Sequence, residues 1–134
     1  MYNATKYLRL SYTSDRANES DSIANQRKYI DEFVKRNPDI KIVNEQVDDG
    51  YSGIVFDRPA FKAMIEDIKS GKINCVIVKD LSRLGREYNE TFTYLRRIFP
   101  ALGVRFIAIN DNIDTAKEAV TGDISVSFKG VMND

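Results

Sequence analysis

Residues 73–86 read Ile-Asn-Cys-Val-Ile-Val-Lys-Asp-Leu-Ser-Arg-Leu-Gly-Arg, and the change of character halfway along decides the fold. The first half is short, apolar and rich in β-branched residues, the pattern of a strand buried on both faces. The second half turns polar and carries Arg83 and Arg86. With a helix running from about Ser82, those two arginines stand three apart and share one face. Two guanidiniums on one face just beyond a buried strand repel each other unless an anion lies between them. A phosphate suits that gap, because Arg is a planar, permanently charged, bidentate donor. The plainer reading is a solvated basic start to a surface helix.

Working outward, strand and helix patterns alternate on both sides. Upstream, Pro59 suits the first position of a helix. Phe61, Met64, Ile65 and Ile68 then mark its apolar face, and Gly71 fits its C-terminal end. Arg58 falls at the junction into this helix, either as a surface arginine or as part of a site. Before it come a loop, Asp48-Asp49-Gly50-Tyr51-Ser52-Gly53, and a polar strand over 40–47 that belongs near a sheet edge. Another helix places Ile23, Ile30, Phe33 and Val34 in a stripe, with Ser20 or Ser22 as its cap and Asn37-Pro38 as its stop. Gln26 fills the gap in that stripe, facing inward either to satisfy a backbone group or to touch a substrate. The first strand, Thr5 to Ser11, alternates, so Arg9 and Ser11 leave the same face about 6–7 Å apart at Cα.

Downstream, Phe92, Leu95, Ile98, Phe99 and Leu102 predict an inward helical face, followed by a strand over 104–109 and the polar turn Asn110-Asp111-Asn112. Ile124, Phe128, Val131 and Met132 predict a last helix that reaches Asp134 with no stopping signal, as expected of a chain that continues further. The whole pattern is β-α-β-α-β-α-β-α. It predicts an α/β fold with a mostly parallel, four- to five-stranded sheet and helices on both faces. Ligands in such folds bind outside the carboxyl ends of the strands. Arg9, Ser11, Arg58, Arg83 and Arg86 can therefore converge there, and four arginines around one serine make an anion site.

Composition narrows the chemistry. The 134 residues suit one domain, and 20 basic residues balance 20 acidic ones. That balance argues against a free-standing, non-specific nucleic-acid binder, though not against a local basic site. The single Cys75 lies in the apolar run as a core residue and leaves no internal disulfide. No segment has the length and apolarity of a membrane span. With no histidine, neither a Ser-His-Asp nor a Cys-His arrangement can form, and one cysteine makes no ordinary zinc site. Gly-x-Gly-x-x-Gly and Walker-type loops are absent from the sequence. What remains is a serine that attacks, or an arginine cage that binds, a phosphate.

Tyr7-Leu-Arg-Leu-Ser11 resembles the opening Tyr-x-Arg-x-Ser of the serine recombinases, the resolvase and invertase group. Ser22-Ile-x-Asn-Gln26, Asp49-Gly-x-Ser-Gly53, Asp57-Arg58-Pro59 and Leu81-Ser-Arg-Leu-Gly-Arg86 fit the same family in register. The phrasing is most similar to the large serine recombinases of transposons and phage integrases. The resemblance implies a resolvase-like catalytic domain over residues 1–120, with 121–134 opening a long helix toward DNA-binding domains. It implies Ser11 as the nucleophile that cleaves a DNA phosphodiester through a 5′-phosphoserine link. Arg9, Arg58, Arg83 and Arg86 would stabilise the transition state, and Gln26 would help position the phosphate. Strand exchange and religation would follow with no metal or cofactor. Implied partners are double-stranded DNA and further copies of the chain, as a homodimer and a synaptic homotetramer, with no membrane. The implied setting is the bacterial cytoplasm, with the gene on a mobile element. Many small members have aspartate where Ser82 stands and threonine at Tyr12, so position 82 receives no catalytic role. Asp49, Asp80 and Asp111 remain equal candidates for the base that deprotonates Ser11. Two rivals are a non-catalytic, phosphate-binding or receiver-like module and a DNA-cleaving enzyme that uses a tyrosine. The polarity of the DNA link separates the latter from a serine enzyme.

Overall fold

The computed structural model describes residues 1–11 and 22–117. Within them one sheet has the strand order β2-β1-β3-β4-β5. Its strands are β1 (Tyr2–Leu10), β2 (Ile40–Asp49), β3 (Cys75–Val78), β4 (Arg105–Ala108) and β5 (Ile113–Asp114). β1 to β4 run parallel, and β5 pairs antiparallel with β4. The short 3-10 turn Ile109–Asp111 and the left-handed Asn112 (φ 56°) reverse the chain into β5. Asparagine is one of the few residues that tolerate that conformation. The mostly parallel α/β architecture is the expected one. Tyr12, Ser20 and the predicted helix from Ile124 to Met132 lie outside the described residues.

The alternation in β3 builds two cores. Cys75 and Ile77 face one side with Ala4, Leu8 and Ile107, where α1 (Ile23–Lys35) lays down Ile30. Val76 and Val78 face the other side with Tyr7 and Phe106, under Phe61, Met64 and Ile68 of α2 (Pro59–Lys69). Each such large apolar side chain contributes about 1.5–3 kcal/mol on burial, so helices this short are held by the sheet more than by propensity. α2 and the 50–57 loop cover the face of β1 that carries Tyr7 and Arg9, so its polar face is a buried one. Arg9 accordingly has no exposed surface.

The helix ends follow their local chemistry. The Ser22 hydroxyl accepts from the Asn25 N–H at 3.0 Å. Past α2, Gly71 adopts φ 82°, a left-handed conformation that glycine takes without strain. Its N–H donates to Ile68 O at 3.1 Å, and that of Lys72 to Asp67 O at 3.0 Å, closing the helix end.

Two boundaries beside the site differ from expectation. β2 runs on through Asp48 and Asp49, which pair with Arg9 and Leu10 rather than forming a loop. The helix after β3 is broken into α3 (Leu81–Leu84), α4 (Tyr88–Thr93), a π-helical turn (Tyr94–Ile98) and α5 (Phe99–Ala101). The wide turn comes just before Pro100, which lacks an N–H and crowds the preceding turn. Leu95 and Phe99 point inward as predicted. Leu102 instead is 40% exposed, because the helix has already ended.

Candidate active site at the carboxyl edge of the sheet

Ser11 directly follows the last residue of β1 and is 8% exposed. The backbone leading to it is clamped from several directions. Gln26 on α1, with no exposed surface, accepts from the Arg9 N–H through Oε1 at 3.2 Å and donates from Nε2 to Arg9 O at 2.9 Å. Arg83 Nη1 donates to the same carbonyl at 2.7 Å. The N–H groups of Gly50 and Tyr51 donate to Leu10 O at 2.7 and 3.1 Å. Of the two readings of Gln26, the backbone partner is the one these contacts show.

The arginines differ sharply in exposure. Arg9 lies beneath the 50–57 loop and donates to three carbonyls: Arg83 O from Nε at 3.1 Å, Tyr51 O from Nη1 at 2.9 Å and Ser82 O from Nη2 at 2.5 Å. Arg58 is 1% exposed, so it is no surface arginine. It donates to Val55 O, Tyr7 Oη and Leu84 O at 2.7–2.8 Å. Its guanidinium also lies 4.5 Å from the Phe56 ring centroid and 5.0 Å from that of Phe61. Arg83 is likewise buried, whereas Arg86 is exposed, with its backbone N–H on Gly53 O at 2.7 Å.

The expected shared face of Arg83 and Arg86 does not form. α3 ends at Leu84, and Gly85 continues in extended conformation. A Cβ at Gly85 would collide with the Phe56 ring and stand 2.5 Å from Thr91 Oγ1, so the chain presses too close there for a side chain. Arg83 turns inward and Arg86 stays at the surface. The four guanidiniums nevertheless share one electrostatic field. The Arg9 pKa is pushed down to about 9, first by burial and then by the charges of Arg83, Arg58 and Arg86. Backbone carbonyls supply the acceptors that a buried cation requires.

Carboxylates complete the edge. Asp48, 2% exposed, accepts from Tyr7 Oη at 2.8 Å and from the N–H groups of Ala60 and Phe61 at 2.9 Å. It thus caps α2 from a distant strand, and the Tyr7 hydroxyl links it to Arg58. Burial, with Asp48 adding to it, drives the Tyr7 pKa upward, so its phenol stays protonated. Sequence reasoning missed Asp48. The available signal was a helix opening on Arg58-Pro59, where Arg58 provides no side-chain cap and the N–H groups need a remote acceptor. Of the three candidate bases, Asp49 is exposed. Asp80 Oδ1 accepts from the Ser82 hydroxyl and, at 3.4 Å, from Arg83 Nε. Asp111 Oδ2 accepts from the Leu81 N–H at 2.6 Å, and burial raises its pKa against that hydrogen bond, with the Asp80 charge assisting. Among the described residues no group of His, Cys, Asp or Glu could hold a metal ion, and no helix is long and apolar enough to cross a membrane.

Comparison with known proteins shows the family and the fold. The family described as Resolvase, N terminal domain, matches residues 4–134. A resolvase family site-specific recombinase from Streptococcus pneumoniae is 31% identical, with a TM-score of 0.73 over 99% of this chain and 87% of that one. The N-terminal catalytic domain of TP901-1 integrase is 26% identical, with a TM-score of 0.81 over 96% and 93%. A serine recombinase from Sulfolobus solfataricus is 26% identical, with a TM-score of 0.63 over 99% and 86%. No curated protein matches the chain.

Proposed function

The chain belongs to the resolvase family as the catalytic domain of a site-specific serine recombinase, and from that premise we propose that Ser11 is its nucleophile. Ser11 Oγ attacks a DNA phosphorus and gives up its proton. The bond from phosphorus to the 3′ oxygen breaks, and that oxygen leaves protonated as a 3′-hydroxyl. The 5′ phosphate stays on the protein as phosphoserine. One phosphodiester is exchanged for another, so religation by the 3′-hydroxyl of a new partner strand needs no energy-rich cofactor. The observation that carries this reading is Ser11 itself. It sits at the end of a strand whose last peptides are clamped by Gln26, Arg83 and the 50–51 turn, two residues from Arg9, whose guanidinium lies in the field of Arg83, Arg58 and Arg86.

Arg86, the exposed member, contacts the phosphate directly. Arg9, Arg58 and Arg83 stabilise its developing negative charge through a preorganised field, while also tying loop to sheet. Gln26 acts on the phosphate indirectly, by fixing the Arg9 peptide two residues from Ser11. The net charge of zero fits a catalytic domain of residues 1–120 whose affinity for double-stranded DNA resides in other domains. Strand exchange takes place in a homotetramer assembled from homodimers, in the bacterial cytoplasm, on the DNA of a mobile element.

The test uses the recombinase containing this domain and DNA bearing its recombination site. Ser11→Ala abolishes the covalent protein–DNA adduct and leaves site binding intact, while Ser82→Ala still forms the adduct. An adduct that survives Ser11→Ala, or one joined through a 3′-phosphotyrosine, would overturn the assignment.

A further inference from the structure

We propose that Asp80 is a positioning residue for strand cleavage, acting on Arg83 both directly at Nε and through the hydroxyl of Ser82. The inference rests on the reading of Ser11 and the arginines given above. Asp80 stands at the N-cap of α3, where an aspartate ordinarily accepts from the backbone N–H groups of the first turn. Here its side chain makes no capping hydrogen bond. That duty passes to Asp111, which accepts from the Leu81 N–H at 2.6 Å. Relieved of capping, the Asp80 carboxylate turns to the side chains that follow. Its Oδ1 accepts from Ser82 Oγ and from Arg83 Nε, and Ser82 Oγ in turn accepts from Arg83 Nη2 at 3.0 Å.

The carboxylate, the hydroxyl and the guanidinium therefore form one chain. Its far end, Arg83 Nη1, rests on the Arg9 carbonyl at 2.7 Å, two residues before Ser11. An arginine has several rotatable bonds, and a single contact would leave its plane undefined. Anchors on Nε, Nη1 and Nη2 fix the plane relative to the strand that carries the nucleophile. The backbone of the same segment is held too, since Ser82 O and Arg83 O both accept from Arg9. The Asp80 side chain keeps 18% exposure and Arg83 only 2%, so the carboxylate is a partly solvated support for a buried cation.

The test measures single-turnover cleavage, site binding and melting temperature in the recombinase containing this domain. Asp80→Asn and Ser82→Ala each slow cleavage about 10- to 100-fold, up to the cost of misplacing a catalytic group by about 1 Å, with site binding unchanged. Because both hold the one guanidinium, Asp80 at Nε and Ser82 at Nη2, the double variant is slower than either single but by less than the product of the two. Ser82→Thr, which keeps the hydroxyl, cleaves like the unmodified protein. Normal cleavage by Asp80→Asn, or a double variant whose defect is the product of the two singles, would overturn the proposal. Should Asp80→Asn be unfolded at the assay temperature, the Ser82 pair decides: equal rates for Ser82→Ala and Ser82→Thr overturn it. Failure of the Ser11 reading would look different, as an adduct on another residue in the unmodified protein.

Discussion

Replacing Gly53 with alanine tests whether the 50–57 loop and the arginine cluster are one mechanical unit. Gly53 is not among the glycines with positive φ, so the backbone itself accepts a side chain. The obstruction is what a Cβ would meet: Arg86 Cγ at 2.8 Å, Arg9 Nη2 at 2.8 Å and Arg9 Cζ at 3.0 Å. Ordinary contact begins near 3.4 Å, so one or both neighbours must retreat by about 0.6 Å. Arg86 is exposed, and a shift there moves the proposed phosphate contact. Arg9 has no exposed surface and is held by three carbonyls, so it can yield only by stretching them. Overpacking of this kind costs about 1–3 kcal/mol. At this size each kcal/mol lowers the melting temperature by roughly 3–6 °C. Displacement of a catalytic group by about 1 Å can cost about 100-fold in rate, so cleavage should fall by up to about that factor. The assay pairs thermal melting with single-turnover cleavage, using Ile54→Ala, an exposed neighbour, as the control. A Gly53→Ala protein that melts and cleaves like the unmodified one would refute the coupling.

The two arginines of the organising stretch should separate on stability. Arg86→Gln should change it by no more than about 0.5 kcal/mol, as for a surface position, while cleavage falls about 100- to 1,000-fold. Arg83→Gln strands buried acceptors and should cost about 1–3 kcal/mol as well; equal stability losses in urea denaturation would remove the distinction. A third expectation concerns acid. Burial alone would raise the Asp114 pKa, but paired hydrogen bonds from Arg105 at 2.7 and 2.9 Å, with the Ala116 N–H, hold it below its ordinary value. A depressed carboxylate contributes stability that is complete above the ordinary value near about pH 4 and is lost as pH falls through the folded value. Asp114→Asn should therefore flatten the fall in urea midpoint below about pH 4, and an unchanged acid limb would contradict it.

The sequence by itself determined the layering. The β-branched run at 75–78, the stripe Phe61-Met64-Ile68 and the punctuation at Ser22, Pro59 and Gly71 are local signals. Periodicity states which face of an element is buried before the partner is known. The spacing of Tyr7, Arg9 and Ser11 with Arg58, Arg83 and Arg86 likewise placed the candidate site at one edge. Tertiary structure decided what each of those residues does there. Asp48 reads locally as loop and proves to be a strand residue capping a helix 12 positions on. Arg83 and Arg86 read as helical neighbours and diverge because Gly85 is pressed against Phe56 and Thr91. β5 is two residues long, too short for any alternation to announce it. The physical reason is that the buried guanidiniums are held largely by backbone carbonyls. Arg9 reaches those of Tyr51, Ser82 and Arg83, 42 to 74 positions away. Every residue carries a carbonyl, so no side-chain pattern marks which ones an arginine will find, and only the folded chain brings donor and acceptor together.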